Sequence, residues 1–231
     1  MRKITAIVFL MIISFYFILI LGEITFGEKY EGVSEHYVEK GIQENRGANI
    51  VTSIVVNYRG FDTLGEVTVL FLTATGISFL LGSCKCKNPM KRIKGSFVLR
   101  AATETLFPVI LLFGAYIFIH GHLTPGGGFQ GGTVVASGFL LLLLSNRKYK
   151  VNHLPLTITE SFAGISFVSI GILGLIFSKS FLANDIIPKG NWNELFSAGF
   201  IPLIYIAVGL KVGAELSGLL GDMFKTTEER K

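Results

Sequence analysis

Long apolar runs recur along this chain, and water is a poor solvent for them. The first, Ile4–Gly22, reads ITAIVFLMIISFYFILILG and holds no charged residue. Others follow at Thr63–Gly82, about Glu104–Ile119, about Thr133–Ser145, Ile158–Phe177 and about Phe200–Leu220. A helix needs roughly 20 apolar residues to cross the hydrocarbon of a bilayer, with a lower limit near 17. The first, second, fifth and sixth runs reach that length; the third and fourth fall short. Charged residues make up 16% of the chain, against about a quarter in ordinary globular proteins. Together these features point to an all-α integral membrane protein with six transmembrane helices. The net charge of +5 does not mark a nucleic-acid partner, because the basic residues punctuate the apolar runs instead of gathering on one face. The partner they imply is the lipid bilayer.

Arg2 and Lys3 could also open a secretory signal. Such a signal has an apolar core of about 7–15 residues and a small-x-small cleavage site. This run is longer, and the following GEITFG offers no such site, so a retained helix is expected. If the runs cross alternately, fourteen Lys and Arg fall on the side of residues 83–102, and six on the other. Lys and Arg favour the cytoplasmic side. Both termini are therefore expected in the cytoplasm, and the glycine-rich loop after the third run outside. The long polar loop 23–62 holds Ile50, Val51, Ile54, Val55 and Tyr58 at helical spacing, which predicts a short extracytoplasmic interfacial helix.

Several ionisable residues fall in or beside hydrocarbon. Lys211 lies near the centre of the sixth run, where a lone lysine costs about 2.5–3.5 kcal/mol on insertion scales. Glu215, four residues on, shares its helix face and can pair with it. The pair either limits that cost or takes part in charge movement. Glu66 and Glu160 each fit a capping box, as Thr63-x-x-Glu66 and Thr157-x-x-Glu160; the competing reading is that they relay protons. Glu104 has no such box and precedes Pro108 by one turn. His120 and His122 are two apart and would point differently on a helix, so interfacial hydrogen bonding is favoured over metal, with proton relay open. A metalloenzyme built on His120, His122 and Glu104 finds no HExxH or GxSxG pattern to support it. Cys84-Lys85-Cys86 is too closely spaced for the usual zinc half-site and lacks a second pair. The loop between the third and fourth runs carries Gly126, Gly127, Gly128, Gly131 and Gly132. Glycine and proline between short apolar runs mark either an ion or substrate path or a tight external turn, and glycine also permits close helix approach.

The stretch FPVILLFGAYIFIHGHLTPGGGFQGGTVVASGFLLLL resembles the signature of the B-type component of Mrp-type (Mnh-type) multisubunit sodium/proton antiporters. IPLIYIAVGLKVGAEL resembles that family's last helix, Lys211 included. The resemblance covers about residues 97–222. Separately, NIVTSIVVNYRGFDTLGEVTVLFLTATG resembles the C-terminal end of the antiporter's A-type component and a small component of archaeal membrane-bound hydrogenases. The resemblance implies an A-like two-helix segment at residues 1–82 and a basic cytoplasmic linker at 83–102. A four-helix B-type (MnhB-like) domain at 103–222 and a polar tail at 223–231 follow. It implies a non-catalytic subunit of a prokaryotic cell membrane, packed among A-, C-, D-, E-, F- and G-like subunits, with sodium and protons as the transported ions. Glu66, His120, His122 and Lys211 correspond to positions of the family motifs. No quinone, iron–sulfur or nickel motif occurs in this chain. Any redox chemistry of a hydrogenase-like arm would reside in partner chains.

Overall fold

The computed structural model describes residues 2–23, 32–83, 95–146 and 149–225. Among these residues every regular element is helical. The order is α1 (Arg2–Glu23), α2 (Val33–Asn45), α3 (Ile50–Ser53) with a π turn (Ile54–Tyr58), α4 (Gly60–Ser83), α5 (Phe97–Ile119), α6 (Gly128–Ser145), α7 (His153–Ser178) and α8 (Ile201–Lys225). Six of them, α1 and α4 to α8, are long and apolar enough to cross a membrane. The Cys84-Lys85-Cys86 stretch, most of the basic linker and the end of the tail lie outside the described residues.

The chain divides into two compact units, residues 1–36 and 37–231. In the first, α1 is apolar all round and its side chains from Lys3 to Glu23 are exposed, as befits a helix whose solvent is lipid. In the second, α4 to α8 alternate in direction. One end of this bundle gathers the start of α4, the α5–α6 turn, the end of α7 and the start of α8. There Asn49 bonds Gly121, and Tyr205 bonds Thr52. At the other end His153 of α7 meets Asp222 of α8. α8 is the central helix, packed on α4, α5, α6 and α7. Its Ile201, Ile204, Tyr205, Val208 and Val212 are buried in the core with Val67 of α4 and Phe167 of α7.

The third and fourth spans are longer than their apolar runs predict. α5 has 23 residues and α6 has 18. α5 begins where Ser96 accepts a hydrogen bond from the Leu99 N–H at 3.1 Å, a side-chain cap. Its first turns carry Arg100 and Glu104, which end an apolar run without ending a helix. α6 begins at Gly128 and runs through Gly131 and Gly132, residues of poor helix propensity. Packing overrides that propensity. A Cβ on Gly132 would lie 2.7 Å from the Gly209 carbonyl oxygen of α8, and one on Gly131 would lie 2.7 Å from that of Gly114 in α5. Three backbones meet there because no side chain separates them. Much of the glycine motif is thus helix interface, and neither α5 nor α6 is broken at membrane depth.

The 49–58 segment differs from an amphipathic helix lying on a surface. Val51 is 60% exposed, whereas Thr52 and Ser53 are buried. The polar face turns inward because the α5–α6 turn offers it unpaired carbonyls. Thr52 Oγ1 donates to Gly121 O at 2.6 Å, and Asn49 Nδ2 donates to Gly121 O at 3.0 Å and Thr124 O at 3.1 Å. The Asn49 N–H donates to His122 O. The Arg59 N–H reaches back five residues to Ile54 O, which closes the π turn. The long polar loop also contains α2, whose weak apolar patterning gave no signal.

Neither capping box forms. α4 starts at Gly60, so Thr63 already lies in its first turn, and its hydroxyl donates to Val55 O of the π turn at 2.8 Å. α7 starts at His153, where Asn152 Oδ1 accepts from the Leu154 N–H at 3.1 Å. Thr157 and Glu160 are therefore inside the helix, free to face a neighbour.

Candidate functional site

Helical spacing places Lys211, Glu215, Gly218 and Asp222 along one face of α8. The same geometry aligns His153, Thr157, Glu160 and Gly164 on α7. These faces oppose each other, with Phe71, Thr75 and Ser78 of α4 along the third side. A cleft of about 200 Å³ lies between the three helices.

Lys211 Nζ is 2.7 Å from Glu215 Oε1 on its own helix and 3.5 Å from Glu160 Oε1 on α7. It also stands 5.1 Å from the centre of the Phe71 ring, within range of a cation–π attraction. The side chains are 14% exposed for Lys211, 21% for Glu160 and 2% for Glu215. The Glu215 contact is a close, charge-assisted one, and it leaves Oε2 without a hydrogen-bond partner among the described residues. Gly164 lies against the lysine stem: a Cβ there would meet Lys211 Cδ at 3.8 Å, an ordinary van der Waals contact. Nearer the end of the bundle, His153 Nε2 meets Asp222 Oδ1 at 3.3 Å. On the other side of Lys211 lies a second cavity of about 170 Å³. Its walls are mainly Leu64, Val67, Phe167, Val168 and Val208.

The arrangement sets one ammonium against two carboxylates. With all three ionised the cluster carries a surplus negative charge, and no lipid-like surroundings tolerate that without a further cation. The cluster can therefore hold a fixed ion pair and exchange one additional cation.

The other residues singled out by sequence lie elsewhere. Glu66 is exposed on α4 beside Val69, Thr73 and Phe129. Glu104 is exposed on α5. Neither has an ion pair among the described residues. His120 caps α5, its Nδ1 3.2 Å from Tyr116 O and its ring stacked on Tyr116. His122 is completely buried in the turn, with neither ring nitrogen hydrogen-bonded among the described residues. Burial pushes its pKa below the ordinary 6.5, although the backbone at Glu194 and Leu195 favours the protonated ring. The two histidines do not share a site. Among the described residues, no three His, Cys, Asp or Glu side chains gather to hold a metal.

A second polar cluster joins the loops at the glycine-turn end. Asn45 is fully buried; its Oδ1 accepts from Asn57 Nδ2 at 2.6 Å and Asn184 Nδ2 at 3.5 Å. Asn184 Oδ1 accepts from the Phe200 N–H at 2.9 Å, anchoring the entry to α8. Beside them the Tyr58 hydroxyl donates to Glu44, and burial with that carboxylate raises its pKa. Sequence reading missed His153, Asp222, Asn45 and Asn49. Polar residues near span ends look like ordinary interface residues until their partners are in place.

Residues 98–218 match a family model described as a domain related to the MnhB subunit of Na+/H+ antiporters. Residues 6–91 match a second family model, MbhE, for the E-type component of MBH. An uncharacterized protein of Methanocaldococcus jannaschii, MJ1307, is 29% identical over 80% of this chain and 79% of its own length. A probable K+/H+ antiporter A/B component of Rhizobium meliloti is 31% identical over 50% of this chain but 14% of its own. A putative mnhB2 antiporter component of Staphylococcus haemolyticus is 36% identical over 37% of this chain and 62% of its own. The chain thus spans less than two thirds of either antiporter relative. Among solved structures, a chain of the membrane-bound sulfane sulfur reductase, an archaeal respiratory membrane complex, superposes with a TM-score of 0.82. It is 43% identical, with 96% of this chain and 98% of that one covered. A chain of the Mrp complex from Dietzia sp. DQ12-45-1b superposes with a TM-score of 0.77 over all of this chain and 26% of that one. At 20% identity it shares the fold.

Proposed function

This chain belongs to the family of domains related to the MnhB subunit of Na+/H+ antiporters, and on that premise we propose that it contributes to sodium or proton translocation within a multisubunit membrane assembly. It is a multi-pass membrane subunit of the antiporter-like type. Lys211, Glu215 and Glu160 are the groups assigned to charge movement. The observation that carries this reading is a lysine in contact with two carboxylates beside a cleft, inside a bundle where apolar side chains in their place are often neutral or stabilising. Glu66, Glu104, His120 and His122 stand apart from that cluster. On this reading they serve helix ends and subunit contacts.

On this reading any redox cofactor belongs to partner chains. Its partners are the other Mrp-type subunits. Its likeness along almost its whole length to one chain of a respiratory membrane complex supports a host with a redox arm over a stand-alone antiporter.

The test uses the assembled complex, purified through this chain and reconstituted in vesicles. Lys211→Ala is expected to reduce sodium/proton exchange by tenfold or more while the subunit composition stays intact. Unchanged exchange with Lys211→Ala rejects the translocation role. Loss of partner subunits from the purified complex would instead identify the chain as a scaffold.

A further inference from the structure

We propose that the α4–α7–α8 cleft is a blind proton entry, open only to the cytoplasmic side, and that the exchangeable cation of the Glu160–Lys211–Glu215 cluster is a proton and not sodium. The proposal rests on the translocation role above and adds the ion, the side and the stopping point.

The polar groups are distributed unevenly about Lys211. Toward the end where α7 begins and α8 ends, the cleft is lined by Thr75, Ser78, Thr157, Glu160, His153 and Asp222. Toward the glycine-turn end, the cavity beyond Lys211 offers a single other polar side chain, Thr68, and its hydroxyl is already donated to Leu64 O at 2.8 Å. Water and protons therefore find many partners from one direction and few from the other. The polar end is the one to which the Lys and Arg distribution assigns the cytoplasm.

Glu215 supplies the second observation. It is buried and lines the cleft; its Oε1 contacts the Lys211 ammonium at 2.7 Å, whereas Oε2 has no hydrogen bond among the described residues. A buried oxygen in that state invites a proton or a donor. The charged groups facing it are Lys211 and Asp222 on its own helix and Glu160 and His153 on α7; α4 presents none to the cleft.

The ammonium decides between the two cations. Lys211 Nζ already contacts both carboxylates, 2.7 and 3.5 Å from one oxygen of each. A sodium ion bound to the same oxygens would stand beside a like charge in surroundings that screen poorly. A proton adds no second cation. It passes from a hydronium in the cleft to a carboxylate oxygen of Glu215 or Glu160, forming one O–H bond and leaving a water. The cluster's net charge moves from −1 to 0, and release of the proton reverses the step.

Two measurements on the assembled complex test this, in a background carrying Cys84→Ser and Cys86→Ser. Thr157→Cys lines the cleft, and Gly164→Cys faces the apolar cavity behind Lys211. A charged, membrane-impermeant thiol reagent is applied to oriented vesicles. Thr157→Cys is expected to react at least about tenfold faster from the cytoplasmic side, and Gly164→Cys from neither side. Labelling of Gly164→Cys from outside, or of Thr157→Cys from outside alone or from neither side, overturns the blind entry. Infrared difference spectra on acidification should show a protonated-carboxyl C=O band that Glu215→Gln or Glu160→Gln diminishes and that sodium leaves unchanged. A band suppressed by sodium at fixed pH overturns the choice of ion. Both readouts are independent of transport. Unchanged exchange in Lys211→Ala with the expected labelling would remove the translocation role and leave the entry standing.

Discussion

Lys211 and Glu160 stand 3.5 Å apart across the α7–α8 interface, although 51 residues separate them in the chain. With Glu215 also 2.7 Å from the ammonium, this contact makes a three-membered cluster from what spacing alone presents as a pair. Its energetic character can be measured. Breaking a buried ion pair by removing one partner costs about 3–5 kcal/mol, whereas replacing both with apolar side chains is often neutral or stabilising. Lys211→Met is expected to lower the thermal midpoint of the purified complex strongly. Lys211→Met with Glu215→Leu should recover most of the loss, because the remaining Glu160 is 21% exposed and faces the cleft. A double variant no more stable than the single one would show that the cluster is not a coupled unit.

The glycines of α6 give a separate prediction about packing. A Cβ on Gly132 would meet Gly209 O at 2.7 Å and Gly213 N at 2.9 Å, both backbone atoms that cannot rotate away. Gly132→Ala should therefore push α6 from α8 and destabilise by about 1–3 kcal/mol, the usual cost of overpacking. Gly76 of α4 has nothing within 4 Å of the same added atom. Gly76→Ala should be neutral or stabilising by up to about 1 kcal/mol, since alanine is the better helix former. Equal effects at the two positions in a thermal-shift measurement would remove close packing as the reason for the motif.

These two sites also show what the sequence makes legible. Six spans follow from hydropathy because lipid imposes helix and length together. The Lys211–Glu215 contact follows from a four-residue spacing. Glu160 does not, because its approach to Lys211 depends on how α7 packs on α8, and its local pattern matches a cap that never forms. Hydropathy also starts α5 and α6 too late, since Arg100 in α5 and Gly128, Gly131 and Gly132 in α6 interrupt an apolar count without interrupting a helix. The 49–58 segment fails for a related reason. Periodicity says that its two faces differ. It does not say that carbonyls of a turn some seventy residues away will bury the polar one.

His122 makes stability depend on pH with a definite sign. Burial lowers its folded-state pKa below 6.5, so between those two values the unfolded chain binds more protons than the folded one. Its contribution is fully present above about pH 6.5, falls as pH drops toward the folded pKa, and levels off below it. One such group gives a slope of at most about 1.4 kcal/mol per pH unit. Comparing thermal midpoints of the wild type and His122→Gln from pH 8 to pH 5 isolates this component. The difference between them should change mainly below pH 6.5 and favour the variant increasingly as acid is added. A difference independent of pH would mean that the ring is not held neutral by burial.

Asn49 holds the polar segment to the glycine turn, and its amide has two distinct duties. The Oδ1 accepts from the Thr52 N–H at 3.4 Å, capping α3, while Nδ2 donates to Gly121 O and Thr124 O. Asparagine and aspartate are equally good as caps, but a carboxylate has no proton to donate. Asn49→Asp therefore keeps the cap and sets a negative oxygen against two carbonyl oxygens. It should destabilise at least as much as Asn49→Ala, which removes both duties at about 1–3 kcal/mol. Thr52 amide exchange separates the duties: it should be faster than wild type in Asn49→Ala and less affected in Asn49→Asp. Proteolysis or exchange across residues 121–124 should rise in both. If Asn49→Asp matched the wild type across that turn, the donor contacts would carry no weight. The attachment of the 49–58 segment to the glycine turn would then rest on Thr52 and the Asn49 backbone.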